Sequence, residues 1–365
     1  MSDSLQYARA ALRHYETIEG VTIAPLLDRQ ELIRPLGDGL INETFLVELP
    51  HADGVARAVL QRVNPLFGIA VHQDIEAITR HLQRRQLLTP VLVPTRDAQL
   101  ALDLGTDGVW RVMTYIAGRT FAQMTPALAS PAGALTARFH AAVADLDHRF
   151  HFVRTGAHDF ARHLQNLRNA VAKAEQNGPE QTPPGFLALS DSIFQIAANV
   201  PSEVPGPSRI CHGDLKINNL RFDDAGQGLC LLDLDTLANL KLGLELGDAL
   251  RSWCNPLGED RTDCYFDLGL LQPILAGYAA SARGFVTVEE REFLITGALR
   301  ITIQLAARFA VDIINQSYFR YDPARFPSRA AHNQVRAEGQ LSLARSILAQ
   351  QREAESLVDA AFTSA

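Results

Sequence analysis

Ile210-Cys211-His212-Gly213-Asp214-Leu215-Lys216-Ile217-Asn218-Asn219 is the most informative stretch of this 365-residue chain. An aspartate follows the His-Gly turn, and an asparagine stands five residues after that aspartate. A second stretch, Cys230-Leu231-Leu232-Asp233-Leu234-Asp235, carries two carboxylates at the end of an apolar run. Carboxylate and amide oxygens are the ligands that a hard cation such as Mg²⁺ prefers. The two stretches together therefore predict a small oxygen-rich cluster.

This spacing fits phosphoryl transfer, a reaction that needs positioning and charge neutralisation more than covalent chemistry. Kinases combine a catalytic-loop aspartate, an asparagine a few residues later and a further aspartate that holds Mg²⁺. We therefore predict that Asp214 orients and deprotonates an acceptor hydroxyl, and that Asn219 and Asp233 bind Mg²⁺. Lys216 follows two residues after Asp214 and is predicted to contact the γ-phosphate of ATP.

The composition is that of an ordinary globular protein, with 47% hydrophobic and 21% charged residues. A net charge of -7 gives no support for a nucleic-acid or membrane-surface partner. The first residues lack a signal-peptide pattern, and no run of about 18 apolar residues predicts a membrane span. The four cysteines show no metal-binding spacing and are predicted to be reduced thiols. We expect a cytoplasmic protein that acts on a small molecule.

The pattern along the chain predicts an α+β fold in two parts. Residues 1–116 are expected to form an N-terminal nucleotide-binding lobe, with a five-stranded antiparallel sheet and one helix near residues 70–87. Asp53-Gly54 indicates a hairpin turn inside that sheet. Residues 117–365 are expected to form a larger, mainly helical lobe that carries catalysis and acceptor binding.

The quoted segments resemble the catalytic loop and metal motif of the aminoglycoside phosphotransferase and choline kinase superfamily, which has a protein-kinase-like two-lobed fold. Further segments resemble N-acetylhexosamine 1-kinases. These are Gly37–Phe45, Val59–Asn64, Asp233–Thr236, Gly247–Arg251, Ala307–Asp312 and Tyr318–Arg320. The resemblance implies an enzyme that uses ATP and Mg²⁺ to phosphorylate the anomeric hydroxyl of an N-acetylhexosamine.

The nucleotide side of the site is expected in the first lobe. Gly37 and Gly39 bracket a turn whose backbone amides would approach phosphate, because glycine permits a tight turn. No lysine occurs on the strand that carries the phosphate-binding cation in kinases. Arg62 is the predicted replacement, and Gln61 remains its competitor because neighbouring strand residues face opposite sides. Glu76, on the following helix, is predicted either to pair with that cation or to lie on the surface.

Adenine is expected to bind the backbone of the segment that contains Met113 and Tyr115, which would link the two lobes. On the acceptor side, Arg308 and Asp312 lie four residues apart on one helical face, in an otherwise apolar region. Both are predicted to bind the acceptor, with an ordinary surface ion pair as the alternative. Asp235 is a further predicted acceptor-binding residue.

Two alternatives remain open from the sequence. The acceptor could instead be homoserine, choline, another sugar or an aminoglycoside. The chain could also be a nucleotide-binding pseudokinase scaffold, which the missing strand lysine favours and the intact set of Asp214, Asn219 and Asp233 opposes. The sequence does not predict an oligomeric state.

Overall fold

A computed structural model describes residues 2–27, 29, 32–37 and 42–363. The chain divides into two compact units. The sheet unit consists of Met1–Gly118, Asp145–Arg154 and Cys230–Leu237, and the helical unit consists of Arg119–Ala144, Thr155–Leu229 and Ala238–Ala365. Both units are discontinuous in sequence, whereas the sequence analysis expects a single boundary after residue 116.

The helices of the described residues are α1 (Ser2–Leu12), α2 (Val71–Arg84), α3 (Pro126–Val143), α4 (Phe160–Asn177), α5 (Phe186–Ala197), α6 (Leu242–Trp253), α7 (Leu268–Ala282), α8 (Val288–Glu292), α9 (Leu294–Asn315), α10 (Arg329–Ala349) and α11 (Gln351–Thr363). The strands are β1 (Thr17–Ile18), β2 (Val21–Thr22), β3 (Ile33–Pro35), β4 (Glu43–His51), β5 (Gly54–Val63), β6 (Leu92–Val93), β7 (Leu102–Asp103), β8 (Val109–Thr114), β9 (Ser208–Cys211), β10 (Leu220–Phe222), β11 (Gly228–Leu231) and β12 (Ala238–Lys241). Short 3-10 turns cover Ala24–Leu26, Gly105–Asp107, Ile217–Asn219 and Leu234–Thr236.

A six-stranded antiparallel sheet forms the centre of the sheet unit, in the order β3-β4-β5-β8-β6 with β7 also paired to β8. The hairpin predicted at Asp53-Gly54 is present, with His51 opposite Gly54. The predicted count of five strands is one too low, because the sequence analysis missed β6. A strand of two residues is too short to produce a visible apolar alternation.

The core of the sheet unit lies between the sheet and the N-terminal segment. Leu12, Tyr15, Phe45 and Trp110 are buried together there. The rings of Phe45 and Trp110 stack with centroids 6.1 Å apart. Burial of each large apolar side chain contributes about 1.5–3 kcal/mol, so this cluster fixes β4 and β8 against the N-terminal helix.

Helix α2 confirms the helix predicted near residues 70–87, and its Val71, Ile75, Ile78 and Leu82, spaced along one helical face, are all buried. The same helix also holds a distant segment of the sheet unit. Buried Asp74 accepts hydrogen bonds from the backbone N–H groups of His151 and Phe152, each at 2.9 Å. One carboxylate therefore explains why Asp145–Arg154 groups with the sheet unit rather than with its sequence neighbours.

Glycines allow close helix packing in the helical unit. A Cβ placed on Gly133 of α3 would lie 2.1 Å from the carbonyl oxygen of Ile274 on α7. A Cβ on Gly247 of α6 would lie 2.5 Å from the backbone of Gly297 on α9. These distances are far below van der Waals contact, so the backbones approach only because the side chains are absent.

Helix α9 departs from the expectation that no segment resembles a membrane span. It has 22 residues and a mean hydropathy of 1.4 in its most apolar window, which is enough by length and composition alone. However, 78% of that window is buried inside the fold. Its apolar character is therefore that of a core helix, against which α4, α6 and α10 pack.

Candidate active site

The predicted catalytic loop, residues 212–219, begins where β9 ends. Strand β9 pairs with β12 in antiparallel fashion, and Cys211 lies opposite Ala238. The backbone N–H groups of His212 and Gly213 then donate hydrogen bonds to the carboxylate of Glu245 on α6, at 2.8 and 2.9 Å. Gly213 has φ +83°, a left-handed conformation that glycine adopts without steric cost. A buried carboxylate and a glycine thus turn the chain so that Asp214 follows.

Glu245 remains ionised in this buried position. Burial alone would raise the pKa of Glu245, but the hydrogen bond from His140 and the backbone donors of the loop lower it below its ordinary value. The oxygens of Glu245 are therefore strong acceptors for the loop amides. The position of the loop depends on this charge.

Two polar side chains of the loop, those of Lys216 and Asn219, converge on Asp214. The Lys216 ammonium lies 3.0 Å from Oδ1 of Asp214. The Asn219 amide donates to the Asp214 backbone carbonyl at 2.8 Å and to Oδ2 at 3.2 Å. The Asp214 side chain keeps 17% of its surface exposed, so solvent or substrate can reach it. The structure thus brings together the three residues predicted from this segment.

Acidic residues of the helical unit raise the pKa of Lys216. Burial would lower the pKa of Lys216, but the charges of Asp214, Glu259 and Asp248 outweigh that effect and raise it above its ordinary value. The buried Arg251 hydrogen-bonds to Asp248 at 2.9 Å and to Glu259 at 2.7 Å. Lys216 therefore stays positively charged at neutral pH.

The second predicted segment belongs to the sheet unit. Asp233 has φ 58° and ψ 63° and precedes the 3-10 turn Leu234–Thr236. A left-handed conformation is uncommon for a residue with a side chain and costs about 1 kcal/mol, although aspartate tolerates it better than most. Residues in such conformations persist only where their surroundings hold them, and they cluster at functional positions.

Two residues after Asp233, Asp235 is held by an ion pair and a further hydrogen bond. Arg111 donates from Nη1 to Oδ1 of Asp235 at 2.5 Å and from Nη2 to Oδ2 at 2.9 Å. Asn42 donates to Oδ2 at 2.6 Å. The side chains of Asp235 and Arg111 are 0% and 1% exposed. Burial raises the pKa of Asp235, but the charge of Arg111 and its hydrogen bonds have the larger, opposite effect. The pKa of Asp235 is therefore below its ordinary value.

Arg111 is the residue that the sequence analysis missed. It lies on β8 directly opposite Gln61 of β5. The Gln61 side-chain oxygen accepts from Nε and Nη2 of Arg111 at 2.9 and 2.8 Å. The available signal was a charge inside an otherwise apolar strand, because an arginine buried on such a strand must have a partner.

The sequence model of the phosphotransferase enzyme family (APH) matches residues 32–283, which is more than half of the chain. This chain belongs to that family. It is therefore an enzyme, a small-molecule phosphotransferase that acts on an alcohol group of its acceptor.

Solved structures share the fold of this phosphotransferase at low sequence identity. An aminoglycoside phosphotransferase from Alicyclobacillus acidocaldarius is 16% identical with a TM-score of 0.60, over 94% of this chain and 96% of that chain. A microcompartment-associated aminopropanol kinase is 17% identical with a TM-score of 0.58, over 97% and 99%. The amicoumacin kinase hAmiN, solved with AMP-PNP, Ca²⁺ and Ami, is 11% identical with a TM-score of 0.56, over 86% and 89%. These likenesses confirm the α+β, protein-kinase-like fold class.

The predicted phosphate turn of the phosphotransferase is described only in part. Gly37 has φ +69°, and a Cβ placed there would meet no atom within 4 Å. This left-handed conformation fits the tight turn expected of it. Gly39 lies outside the described residues.

Arg62 and Gln61 of the phosphotransferase face different neighbours. Arg62 lies 3.7 Å from Glu43 and 5.9 Å from the ring centre of Tyr7, and a third of its side chain is exposed. Gln61 belongs to the cluster around Arg111 instead. Two alternatives were open for Glu76, pairing with the strand cation or a surface position, and in the structure its carboxylate hydrogen-bonds to Arg80 one helical turn later. The i, i+4 spacing on α2 provides that partner locally.

Met113 and Tyr115 lie at the end of β8, where adenine binding was predicted. Met113 is buried, opposite Val59 of β5 and Leu92 of β6. Tyr115 follows the strand and is partly exposed. Their backbone groups rather than their side chains were expected to contact adenine, and this role stays a prediction.

Two of the three predicted acceptor-binding residues do not fit that role. Both oxygens of Asp235 are buried against Arg111 and Asn42. Asp312 is also buried, and it accepts from the backbone of residues 317–319 at 2.8–2.9 Å and from Asn333 at 2.9 Å. These corrections have one physical reason: each carboxylate is saturated by hydrogen bonds within the protein, so it cannot also bind an acceptor.

Arg308 keeps the features that an acceptor-binding residue requires. Its guanidinium lies 5.4 Å from the ring centres of Tyr318 and Phe319 and donates to the Tyr318 hydroxyl at 3.3 Å. Tyr318 is 55% exposed. Arg308 and Tyr318 therefore present an aromatic face and hydrogen-bond donors at the surface of the helical unit.

Proposed function

We propose that this phosphotransferase transfers the γ-phosphoryl group of ATP, with Mg²⁺, to the anomeric hydroxyl of an N-acetylhexosamine. The observation that carries the proposal is the convergence of Lys216 and Asn219 on the partly exposed carboxylate of Asp214. A scaffold that only bound nucleotide would not need a reachable carboxylate with a lysine beside it. This arrangement therefore favours the enzyme over the pseudokinase alternative.

Asp214 would accept the proton of the acceptor hydroxyl and orient that hydroxyl towards phosphorus. Lys216, which is charged at neutral pH, would offset negative charge on the transferred group. The hydrogen bonds from Asn219 would hold the Asp214 carboxylate in one orientation while it acts. These roles need no movement of the backbone, since the three side chains already meet.

The chemistry of the donor set fits a divalent cation. Both hydrogen bonds from Asn219 to Asp214 use the amide nitrogen, so the amide oxygen is the atom suited to a cation. Asp233 offers a carboxylate from a constrained backbone conformation. When bound there, Mg²⁺ would be held by Asn219 and Asp233 and would supply positive charge to offset that of the phosphates. The amicoumacin kinase solved with AMP-PNP and Ca²⁺ supports a nucleotide and a divalent cation in this fold.

The choice of a sugar acceptor rests on the resemblance of several segments to N-acetylhexosamine 1-kinases and on the surface formed by Arg308 and Tyr318. An exposed aromatic ring can cover the apolar face of a sugar ring, and an adjacent guanidinium can donate to its hydroxyl or carbonyl oxygens. Asp312 is buried and does not contribute to this surface, so Arg308 gives it a positive charge. That charge suits a neutral N-acetylated sugar better than a polycation.

An amino alcohol or aminoglycoside is the second candidate acceptor. Its support is that proteins of this fold include an aminopropanol kinase and an aminoglycoside phosphotransferase. An ammonium group would require a carboxylate free to bind it. The acidic residues beside Lys216, Asp248 and Glu259, are already paired with Arg251, which disfavours that acceptor.

ADP release with Mg²⁺-ATP across a panel of acceptors tests the proposal. The panel contains GlcNAc, GalNAc, glucose, glucosamine, aminopropanol, choline, homoserine and kanamycin, with Asp214→Asn as the inactive control. We expect turnover with an N-acetylhexosamine and a 1-phosphate product, lost in the control. Turnover with an amine alone would replace the sugar by the second candidate. ATP binding without turnover on any acceptor would contradict the proposal.

A further inference from the structure

The buried cluster of Asn42, Gln61, Arg111 and Asp235, here called the Asp235 cluster, is joined by five side-chain hydrogen bonds. Arg111 uses Nε, Nη1 and Nη2, and Asp235 uses both oxygens. A bidentate arginine–carboxylate pair fixes orientation as well as distance. The cluster therefore defines the position of Asp235 in several directions at once.

The cluster continues across three strands of the sheet. Gln61 lies opposite Arg111 on one side and Thr44 on the other, and it donates to the Thr44 hydroxyl at 3.2 Å. Asn42, just before β4, accepts from the backbone N–H of Asn64 at 2.8 Å while it donates to Asp235. Residues of the sheet, and not only those of its own short turn, therefore hold Asp235 in position.

Buried apolar side chains on both sides of Asp235 also hold this turn in place. Leu234 and Leu237 are buried on either side of it. Asp233 stands at the start of this anchored turn, in its left-handed conformation. The residues that follow Asp233 in this turn cannot rotate without breaking the Arg111–Asp235 ion pair or exposing apolar surface.

The cluster also connects a second predicted element. Asn42 belongs to the segment Gly37–Phe45, which resembles a phosphate-loop hairpin and of which residues 38–41 lie outside the described residues. The Asn42 amide donates to Asp235, which follows Asp233 by two residues. A single buried aspartate joins the two parts of the sheet unit that the proposed function assigns to the nucleotide and its metal.

We infer that Arg111 and Asp235 are positioning residues that hold Asp233 in the conformation needed to bind the nucleotide-associated divalent cation. This inference rests on the proposed function, because it takes Asp233 as a cation ligand. A well-packed apolar pair of similar volume often stabilises a fold as well as a buried ion pair does. What the apolar pair cannot supply is the orientation that a bidentate pair imposes.

Nucleotide binding with and without the cation provides the test, because it does not depend on turnover. ADP affinity is measured by calorimetry in Mg²⁺ and in chelator, for the wild type and for Arg111→Met/Asp235→Leu. We expect Mg²⁺ to strengthen ADP binding in the wild type. In the double variant we expect that strengthening to fall at least tenfold, with ADP affinity in chelator changed less than threefold.

Two further variants make the result specific. Glu48→Gln removes a carboxylate from the same sheet, where Glu48 pairs with Arg34 and Arg57 at the surface, and it should keep the wild-type response to Mg²⁺. Asn42→Ala leaves the ion pair in place and removes one hydrogen bond to Asp235. It should lose part of the response, and it serves as the test if circular dichroism shows that the double variant is unfolded.

The outcomes separate the two hypotheses. A folded double variant, or failing that Asn42→Ala, with an undiminished Mg²⁺ response would overturn the positioning role and leave the proposed function intact. A wild type that binds no nucleotide in either condition would overturn the proposed function and this inference with it. A reduced response confined to the cluster variants would support both.

Discussion

The ammonium of Lys216 lies 3.0 Å from the carboxylate of Asp214, two residues earlier in the same loop. Local chain geometry alone creates this ion pair, so it is present without any ligand. The pair offers one proton acceptor and one cation at the same point. Both are groups that phosphoryl transfer uses, and the pair makes their contributions separable by mutation.

Asp214→Asn should lower kcat by about 10²–10⁴, the usual contribution of a general base. The amide keeps the size of the side chain and can still accept from Asn219, so the loop should remain folded. Nucleotide affinity measured by calorimetry should stay within a few-fold of wild type. A variant that retained a tenth or more of wild-type kcat would exclude Asp214 as the base.

Lys216→Met should lower kcat by about 10²-fold or more with a smaller change in the KM for acceptor, because the lysine charge is needed most in the transition state. Lys216→Arg keeps the charge and should recover part of the activity. Steady-state kinetics with both substrates varied provide the measurement. Equal activities for the Met and Arg variants would show that the charge has no role.

Substitution of Asp312 should lower the stability of the fold, whereas substitution of Arg308 should weaken acceptor binding. Asp312→Ala leaves three backbone donors and the Asn333 amide without their acceptor, so it should destabilise the fold by about 3 kcal/mol or more. Arg308→Ala should raise the KM for acceptor about tenfold and change the unfolding free energy by about 1 kcal/mol or less. Urea unfolding and acceptor titrations distinguish the two. A normal acceptor KM in Arg308→Ala would remove this surface from the acceptor site.

His72 should make the fold sensitive to acid. Burial first, and then the charge of Arg111, lower the pKa of His72 to about 4. The unfolded chain binds a proton at this group below its ordinary pKa of 6.5, whereas the folded chain does not, so stability is lost as the pH falls from about 6.5 to about 4. Relative to His72→Gln, the wild type should lose about 2–3 kcal/mol between pH 7 and pH 4.5.

Urea unfolding of both proteins at the two pH values measures this difference. The exposed histidine variant His51→Gln provides the control and should follow the wild type, since 39% of the His51 side chain is exposed. A wild type that lost no more stability than His72→Gln would show that His72 titrates normally in the folded protein.

Gly133→Ala should destabilise the helical unit by about 1–3 kcal/mol or more, because its new methyl group would lie 2.1 Å from the carbonyl oxygen of Ile274. Gly284→Ala is the matched control, since a Cβ there would meet no atom within 4 Å. The control should be within about 1 kcal/mol of the wild type. Thermal unfolding of the two variants gives the comparison, and equal midpoints would mean that α3 and α7 can separate without cost.

Short-range structure could be predicted from the sequence because its causes are local. The Asp53-Gly54 hairpin follows from turn chemistry, and the buried face of α2 follows from helical spacing. At the start of α8, Thr287 and Glu290 form a capping box with both of its hydrogen bonds, another pattern that depends on residues three apart. The convergence of Lys216 and Asn219 on Asp214 likewise depends on residues of one loop.

Long-range partners could not be predicted, because periodicity and spacing carry no information about which distant side chain fills a polar position. Asp235 and Asp312 looked like ligands for an acceptor, since each is a carboxylate in an apolar context. Arg111 lies 124 residues from Asp235, and Asn333 lies 21 residues from Asp312. Glu76 is the opposite case, because its partner Arg80 lies one turn away on α2, whereas the sequence left a distant partner and a surface position equally open.

The sequence by itself determined the catalytic loop, the apolar faces and the family of this phosphotransferase, because motif spacing and periodicity are properties of the chain before it folds. Only the tertiary structure decided which carboxylates are available for chemistry and which are buried supports. Burial makes an unsatisfied charge costly, so each buried carboxylate is matched to donors that folding brings from elsewhere in the chain. That matching shows Asp235, a predicted acceptor ligand, to be a buried partner of Arg111 and Asn42.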